Sequence, residues 1–325
     1  MILTLTPNPA VDETIEMDEP LAADAVQSTR EMQFTPGGDG INVSEFVHAL
    51  GGETMATGVT GGFTGYFIEQ DLSGLDIPTD FCSVDSAPTR INTTILAPPP
   101  EELQTTRVGD DEAVERQQFQ LQQPGPEVDE ECVDRLVETV REHDPDILNI
   151  GGSLPRGMGP ADIDRLAAAG DWDTALNVHG EVLGDLEESY ECCRLNRAGI
   201  EAATGVTIDS IDDCKDAALA LQAEGFERVV ASMADDGAVL VTPEQALYAP
   251  SLNVDVADTV AAGDALLAGI LWGYEQGWDD RRALKAGVAT AGAVVGVTGT
   301  SIDHIDPEPA MAGLSVWQLD HDRET

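Results

Sequence analysis

The sequence predicts an α/β fold: a mostly parallel central sheet flanked by helices on both faces, with a small β-layer outside it. Three observations carry that expectation. Strand-like and helix-like runs alternate through the chain, and resume regularly from residue 133 onward. Strands alternating with helices of about 10–15 residues imply parallel pairing with both faces covered. Glycine turns follow several of the strand-like runs, where open parallel sheets bind ligands beyond the carboxyl ends of their strands. The third observation is an exception, since residues 90–97 and 118–121 read as exposed strands with no helix between them.

Taken in order, ILTLT alternates as a strand does, and Pro7 and Pro9 end it. Residues 14–17 and 30–34 are short strand candidates. In F-T-P-G-G-D-G-I-N-V-S-E-F-V-H-A-L-G a glycine turn opens a helix whose Ile41, Val43, Phe46, Val47 and Leu50 share a face, with Gly51 ending it. TMATGVTG is a strand. RINTTILA at 90–97 pairs with QFQL at 118–121 across the polar segment from Pro98 to Glu112, expected to be mobile. With residues 14–34 these strands form the small outer layer, which reads as a lid or as a decorative hairpin. Helices over 133–142, 160–169, 212–224 and 264–276 alternate with the strands DILNIGG, DTALNVHG, ERVVASM and GAVLVTP. The tail from about 314 is polar and expected to be loose.

Composition excludes whole classes of function. The chain carries 61 acidic against 16 basic residues, a formal charge of −45. The excess is spread along the length, and the only lysines are Lys215 and Lys285. Such a surface repels itself until screened, which happens near 1 M salt where the Debye length is about 3 Å, so a salt-rich cytoplasm is the expected location. Nucleic acid and anionic membrane are excluded as partners, because phosphate backbones need clustered Lys and Arg. The five cysteines, at 82, 132, 192, 193 and 214, form no C-x-x-C pair and no zinc-like spacing, so neither a disulfide framework nor a metal-ligating set is expected. No apolar run reaches the ~18 residues of a membrane span.

The sequence contains no G-x-x-x-x-G-K-[ST], no G-x-G-x-x-G and no H-E-x-x-H. The five histidines are scattered and read as surface or core residues, His179 least clearly so because it follows a predicted strand. The chemistry points instead to D-T-V-A-A-G-D-A-L-L-A-G at 258–269. A helix starting near Ala261 presents unpaired N–H groups and the positive end of its dipole, which favour an anion. Small residues let a phosphate approach those amides, and Asp264 in the first turn is expected to stay ionised within reach of a hydroxyl. Phosphoryl transfer requires a base of that kind and donors aimed at the developing charge. Aspartate in a first helical turn also serves stability alone.

Taken together, TLTPNPAVDETIE, PGGDGINVSEFVHALGG, TRINTTI, GGSLPRGM and DTVAAGDALLAG, in that order, resemble the motifs of the PfkB (ribokinase-like) carbohydrate kinases. The resemblance covers about 1–305 and is strongest to the branch containing 1-phosphofructokinase and tagatose-6-phosphate kinase. It implies a ribokinase-like three-layer fold: one kinase domain over 1–313 with a β-lid from about 12–35 and 88–123, then a tail over 314–325. It also implies ATP and Mg²⁺ as cofactors, a sugar phosphate and a nucleotide as partners, and a homodimer through the lid. Asp264 is similar to the family's base, and the amides of Ala261, Ala262 and Gly263 to its anion hole. Asp12, Gly37, Gly38, Asp39, Asn42 and Asn92 would line the sugar site, with Arg90 and Ser153 on the substrate's existing phosphate. Asn196, Ser232, Ala234, Gly237, Thr259 and Gly263 would lie along the nucleotide.

Four positions depart from the family pattern. Asp39 replaces the lysine of G-G-K-G, Gly199 the glutamate of N-x-x-E, Ala234 the glycine of S-x-G, and Ala261 the first glycine of G-A-G-D. All four lie at the phosphate end of the expected site. The expected function is therefore phosphorylation of a sugar phosphate by ATP, fructose 1-phosphate to fructose 1,6-bisphosphate first. The alternatives are tagatose 6-phosphate or another sugar as substrate, or a binding protein of the same fold whose catalysis those four positions impair.

Overall fold

The computed structural model describes residues 1–100, 117–297 and 302–320. A ten-stranded sheet organises the chain, in the order β14-β13-β12-β11-β10-β9-β8-β1-β4-β5. Its parallel part comprises β1 (Ile2–Thr6), β4 (Thr54–Thr60), β5 (Cys82–Ser83), β8 (Ile147–Gly151), β9 (Asp173–Asn177), β10 (Tyr190–Asn196) and β11 (Phe226–Ser232). Three antiparallel strands, β12 (Ala238–Val241), β13 (Ala246–Ala249) and β14 (Trp317–Leu319), extend one edge.

The alternation read in the sequence is the alternation of faces. On one face Leu3, Leu5, Leu148 and Ile150 pack under α3 (Glu130–His143), α4 (Pro160–Ala167) and α7 (Ile211–Ala223). On the other, Ile2, Ile147, Cys192, Val230 and Leu240 pack under α1 (Asp39–Ala49), α8 (Ala262–Glu275) and α9 (Asp280–Val295). Neighbouring β1 residues thus serve opposite layers, as a period of two requires. Helix α2 (Gly62–Gly74), the short α5 (Gly180–Leu183), α6 (Arg197–Thr204) and α10 (Glu308–Gly313) complete the cover. Among the described residues no helix is long and apolar enough to cross a membrane.

The second sheet has the order β3-β2-β6-β7, from β2 (Ala10–Met17), β3 (Thr29–Gly37), β6 (Arg90–Ala97) and β7 (Gln117–Gln122). The candidate at 90–97 keeps its bounds, and those at 14–17, 30–34 and 118–121 are longer than the sequence suggested. Strands β2 and β6 are parallel, and this pairing places Asp12 opposite Asn92. Residues 101–112 of the polar segment expected to be mobile lie outside the described residues. The tail corrects an expectation: Leu314 is buried, and Trp317–Leu319 pairs with β13 instead of hanging loose. Trp317 stacks on Tyr248 of β13, an aromatic contact that a reading of polarity alone misses.

Candidate active site

The chain enters α8 through Ala261, which has left-handed backbone geometry at φ 58°. By helix geometry the N–H groups of the first turn have no acceptor within the helix. Ala262 donates to Thr259 O at 3.4 Å, and Asp264 follows at the start of a run buried on the sheet. The Asp264 carboxylate is 6% exposed and held at both oxygens. Asn42 Nδ2, from α1, donates to Oδ2 at 2.8 Å, and Asn177 Nδ2, from the end of β9, donates to Oδ1 at 2.8 Å. Burial pushes its pKa up, while Arg194 and the two amides pull it down. Both oxygens thus accept a hydrogen bond from within the protein, and a hydroxyl would join or displace one of the two amides to reach the carboxylate.

Arg194, at the carboxyl end of β10, is the residue the sequence reading missed. Its Nη1 donates to Asn177 Oδ1 at 3.3 Å and its Nη2 to Ser232 Oγ at 3.0 Å. The guanidinium lies against Gly263, where any Cβ would overlap it. Its Nε is buried with no hydrogen-bond acceptor among the described residues. Burial lowers its pKa, and the charges of Asp264 and Asp39 raise it. The expected ring of amides over Ala261, Ala262 and Gly263 thus has a cation beside it at Gly263. A signal was available: a cation two residues before Asn196, at the end of a central strand, where such sheets bind ligands.

Arg194 also separates two cavities. The larger, of about 550 Å³, is lined by Asn196, Ser232, Ala234, Gly237, Thr259 and Gly263 among others, so the positions expected along a nucleotide share one concavity. Asn196 additionally caps α6, accepting from Gly199 N at 2.7 Å. Ala234, at φ 50°, and Ala261 both hold backbone conformations that glycine adopts freely and alanine adopts at a cost of about 1 kcal/mol. The smaller cavity, of about 370 Å³, is lined by Asp39, Asn177, His179, Glu181, Asn196 and Gly199, with Arg194 at its boundary. Asp39 is pushed up to about 7, first by burial and then by the charge of Asp264, with Arg194 opposing.

A third group faces the small sheet. Arg90 Nη2 donates to Ser153 Oγ at 3.2 Å and to Asn8 O at 3.0 Å, and Asn8 Nδ2 donates to the same hydroxyl at 3.2 Å. Asn8 was not anticipated, although it lies in the N-P motif that ends β1. Asn92 Nδ2 donates to Asp12 Oδ1 at 2.9 Å, and Gly37 admits the Asp12 carboxylate where a Cβ would collide with it. Gly38, at φ 131°, opens α1. Asp12, Asn92, Arg90 and Ser153 line neither cavity; they form a polar wall beside Asp39.

Comparison with known proteins fits this geometry. The family described as pfkB family carbohydrate kinase matches residues 6–306. The chain belongs to that family. A 1-phosphofructokinase of Haloferax volcanii is 45% identical over 306 residues, covering 94% of each chain. A D-tagatose-1-phosphate kinase of Bacillus licheniformis is 33% identical over 296 residues, covering 88% of this chain and 89% of the relative. Among solved structures, phosphofructokinase-2 of Escherichia coli in complex with substrates and products aligns with a TM-score of 0.81 over 96% of this kinase and 98% of that chain, at 24% identity.

Two carboxylates of α1, half-buried Asp39 and buried Glu45, set a pH dependence of stability. Asp39 moves from its usual 3.8 to about 7, so the folded state holds a proton that the unfolded chain has released. That contribution is full below pH 3.8, declines as pH rises and is gone above about 7. Asp39→Asn should therefore raise the melting temperature relative to the unmodified chain, by a margin that widens across that window and then levels. Glu45, buried in α1 and pushed up to about 8 mainly by burial, gives the same sign to a higher pH, and Glu45→Gln serves as the second arm. Thermal unfolding measured against pH for the three proteins checks both.

Proposed function

We propose that this kinase transfers the γ-phosphoryl group of ATP to the 6-hydroxyl of fructose 1-phosphate, giving fructose 1,6-bisphosphate. The observation that carries the proposal is the unbroken chain Asn42–Asp264–Asn177–Arg194–Ser232, which runs from α1 to the larger cavity. A base that lines neither cavity and a cation that lines both thus share one partner, Asn177. The identity to the Haloferax enzyme supports the choice of sugar phosphate.

In this reading the nucleotide occupies the larger cavity, with its terminal phosphates toward Gly263 and Arg194. Arg90, Ser153 and Asn8 take the phosphate already on the sugar, and Asp12 with Asn92 its hydroxyls. The acceptor hydroxyl replaces one amide on Asp264, whose pKa, raised by burial, brings it closer to the operating pH of a base. The proton passes to Asp264 as the new O–P bond forms and the bond to the departing ADP oxygen breaks. Arg194 meets the charge spread over the moving phosphoryl group. Asp39 and Glu181 on the smaller cavity are the carboxylates that would hold Mg²⁺, which needs one or two beside phosphate oxygens. When bound, it would neutralise phosphate charge.

A coupled assay in concentrated KCl tests this. Fructose 1-phosphate with ATP should turn over. Asp264→Asn should lose on the order of 10²–10⁴ in kcat, and Arg90→Ala should raise KM roughly 10- to 100-fold through loss of a charged hydrogen bond. Absence of turnover with any sugar phosphate would defeat the proposal. The tagatose-phosphate relative names the second substrate to try, since Arg90 and Ser153 would hold its phosphate equally well.

The impairment expected from Asp39 is not supported. Its carboxylate interacts electrostatically with Arg194 and Arg90, so a positive charge is still present beside the phosphate end of the site. Installing lysine there would set like charges near one another in a buried place. Asp39→Lys should therefore lose activity and stability. A gain in kcat would instead favour the reading of a catalytically weakened binding protein.

The small sheet would act as a lid and as a dimer surface. Cross-strand registry aligns Met32, Ile15, Ile95 and Phe119 in one row, and Phe34, Glu13, Thr93 and Leu121 in the next. Met32, Phe34, Phe119 and Leu121 are exposed, as are Phe63 and Tyr66 on the adjoining α2. An apolar face on so acidic a chain fits a second copy of itself. Light scattering in concentrated KCl should give a dimer, and Met32→Asp with Phe119→Asp a monomer.

A further inference from the structure

Two cysteines outside the cleft stand in contact. Cys82 Sγ on β5 and Cys132 Sγ in the first turn of α3 are 2.8 Å apart. Both are buried, at 7% and 0% exposure. Asp129 caps α3 and accepts from Cys132 N at 2.9 Å, which fixes that residue's backbone. Arg135, one turn further on and exposed, reaches the sulfurs from the solvent side.

Their position in the fold gives the contact a consequence. Cys82 lies just before the chain crosses from the large sheet to β6 at Arg90, and Cys132 just after it returns from β7. The two crossings already touch, since Ser86 Oγ donates to Glu127 O at 3.5 Å. Gly125 packs so closely on Asn8 that a Cβ there would strike its Oδ1, and that Cβ would also lie 3.5 Å from Arg90 Cδ. A bond between the cysteines would tie both crossings together beneath the arginine assigned to the substrate phosphate.

We propose that Cys82 and Cys132 are a redox modification site: hydrogen peroxide converts them to a reversible disulfide that fixes the small sheet relative to the cleft. The hydrogen bond from Cys132 is the main influence lowering the Cys82 thiol to about 7, and Arg135 adds to it, so Cys82 is the attacking sulfur. Its thiolate attacks one peroxide oxygen and the O–O bond breaks. The departing hydroxide takes up a proton as water, leaving a sulfenic acid on Cys82. The Cys132 sulfur then attacks the sulfenic sulfur. The S–S bond forms, the S–O bond breaks, and the hydroxide leaves with the Cys132 proton as a second water. Two electrons pass from the thiol pair to peroxide, and a dithiol reverses the reaction by exchange. Cys192, Cys193 and Cys214 are buried with thiols raised by desolvation, and they serve as internal controls.

The folded protein would be treated with hydrogen peroxide, alkylated, digested without reductant and analysed by mass spectrometry. A peptide pair joined through Cys82 and Cys132, released by dithiothreitol, is the expected product. In Cys132→Ser the reaction should stop at a Cys82 sulfenic acid trapped by dimedone, and Cys82→Ser should give neither product. Oxidation of the control cysteines before this pair, or formation of the link only after unfolding, would overturn the proposal. The effect on the cleft rests on the kinase reading. Oxidised protein should lose turnover several-fold, regain it with dithiothreitol, and show no such loss as Cys82→Ser. A link formed with turnover unchanged would overturn the stapling role. An inactive reduced protein would count against the kinase reading instead, with the link still read by mass.

Discussion

A buried negative charge has to be balanced, and the architecture at the carboxyl ends of the strands is arranged around that requirement. Asp264 lies at the start of a helix sunk into the core, where an unpaired carboxylate would be neutralised or would destabilise the fold. Two asparagine amides and one guanidinium carry the compensation, and they come from α1, β9 and β10. Glycines make room for this arrangement: Gly38 opens α1 at a positive φ, and Gly263 leaves space for the arginine. Three separate segments therefore have to be in register before the carboxylate is stable, and once they are, the cleft is assembled.

Much of the fold was legible in the sequence, because burial on two faces leaves a strong imprint. The runs DILNIGG and ERVVASM have mainly apolar centres, as strands covered on both sides do, and they became β8 and β11. The small sheet was legible for the opposite reason, since TRINTTI alternates and is only half covered. What failed was the tail, where three residues pair at the sheet edge through backbone groups that any sequence possesses.

The candidate site was legible unevenly. Asp264 could be picked out from its local motif, and Gly37, Gly38 and Asn196 from the resemblance to the family. Arg194 could not, because its significance comes from the adjacency of the end of β10 and the start of α8, which are far apart in sequence. The same blindness led the sequence reading to treat Asp39 as a charge placed against function. In three dimensions it faces the unrecognised cation, and an acid on one element and a base on another form an electrostatic set that neither segment reveals alone.

The scarcity of cations gives the cleft an unusual relation to its surroundings. With 16 basic residues on a chain of net charge −45, two arginines are held close enough to Asp39 to feel its charge while the exterior is dominated by carboxylates. An approaching polyanion is therefore repelled at long range and attracted only over the last few ångströms. Screening weakens the outer repulsion more than the inner attraction, because the Debye length contracts from about 30 Å at 0.01 M to about 3 Å at 1 M. Capture of anionic ligands by this molecule should thus quicken as salt is added, the reverse of the ordinary behaviour of proteins that steer anions with a basic surface.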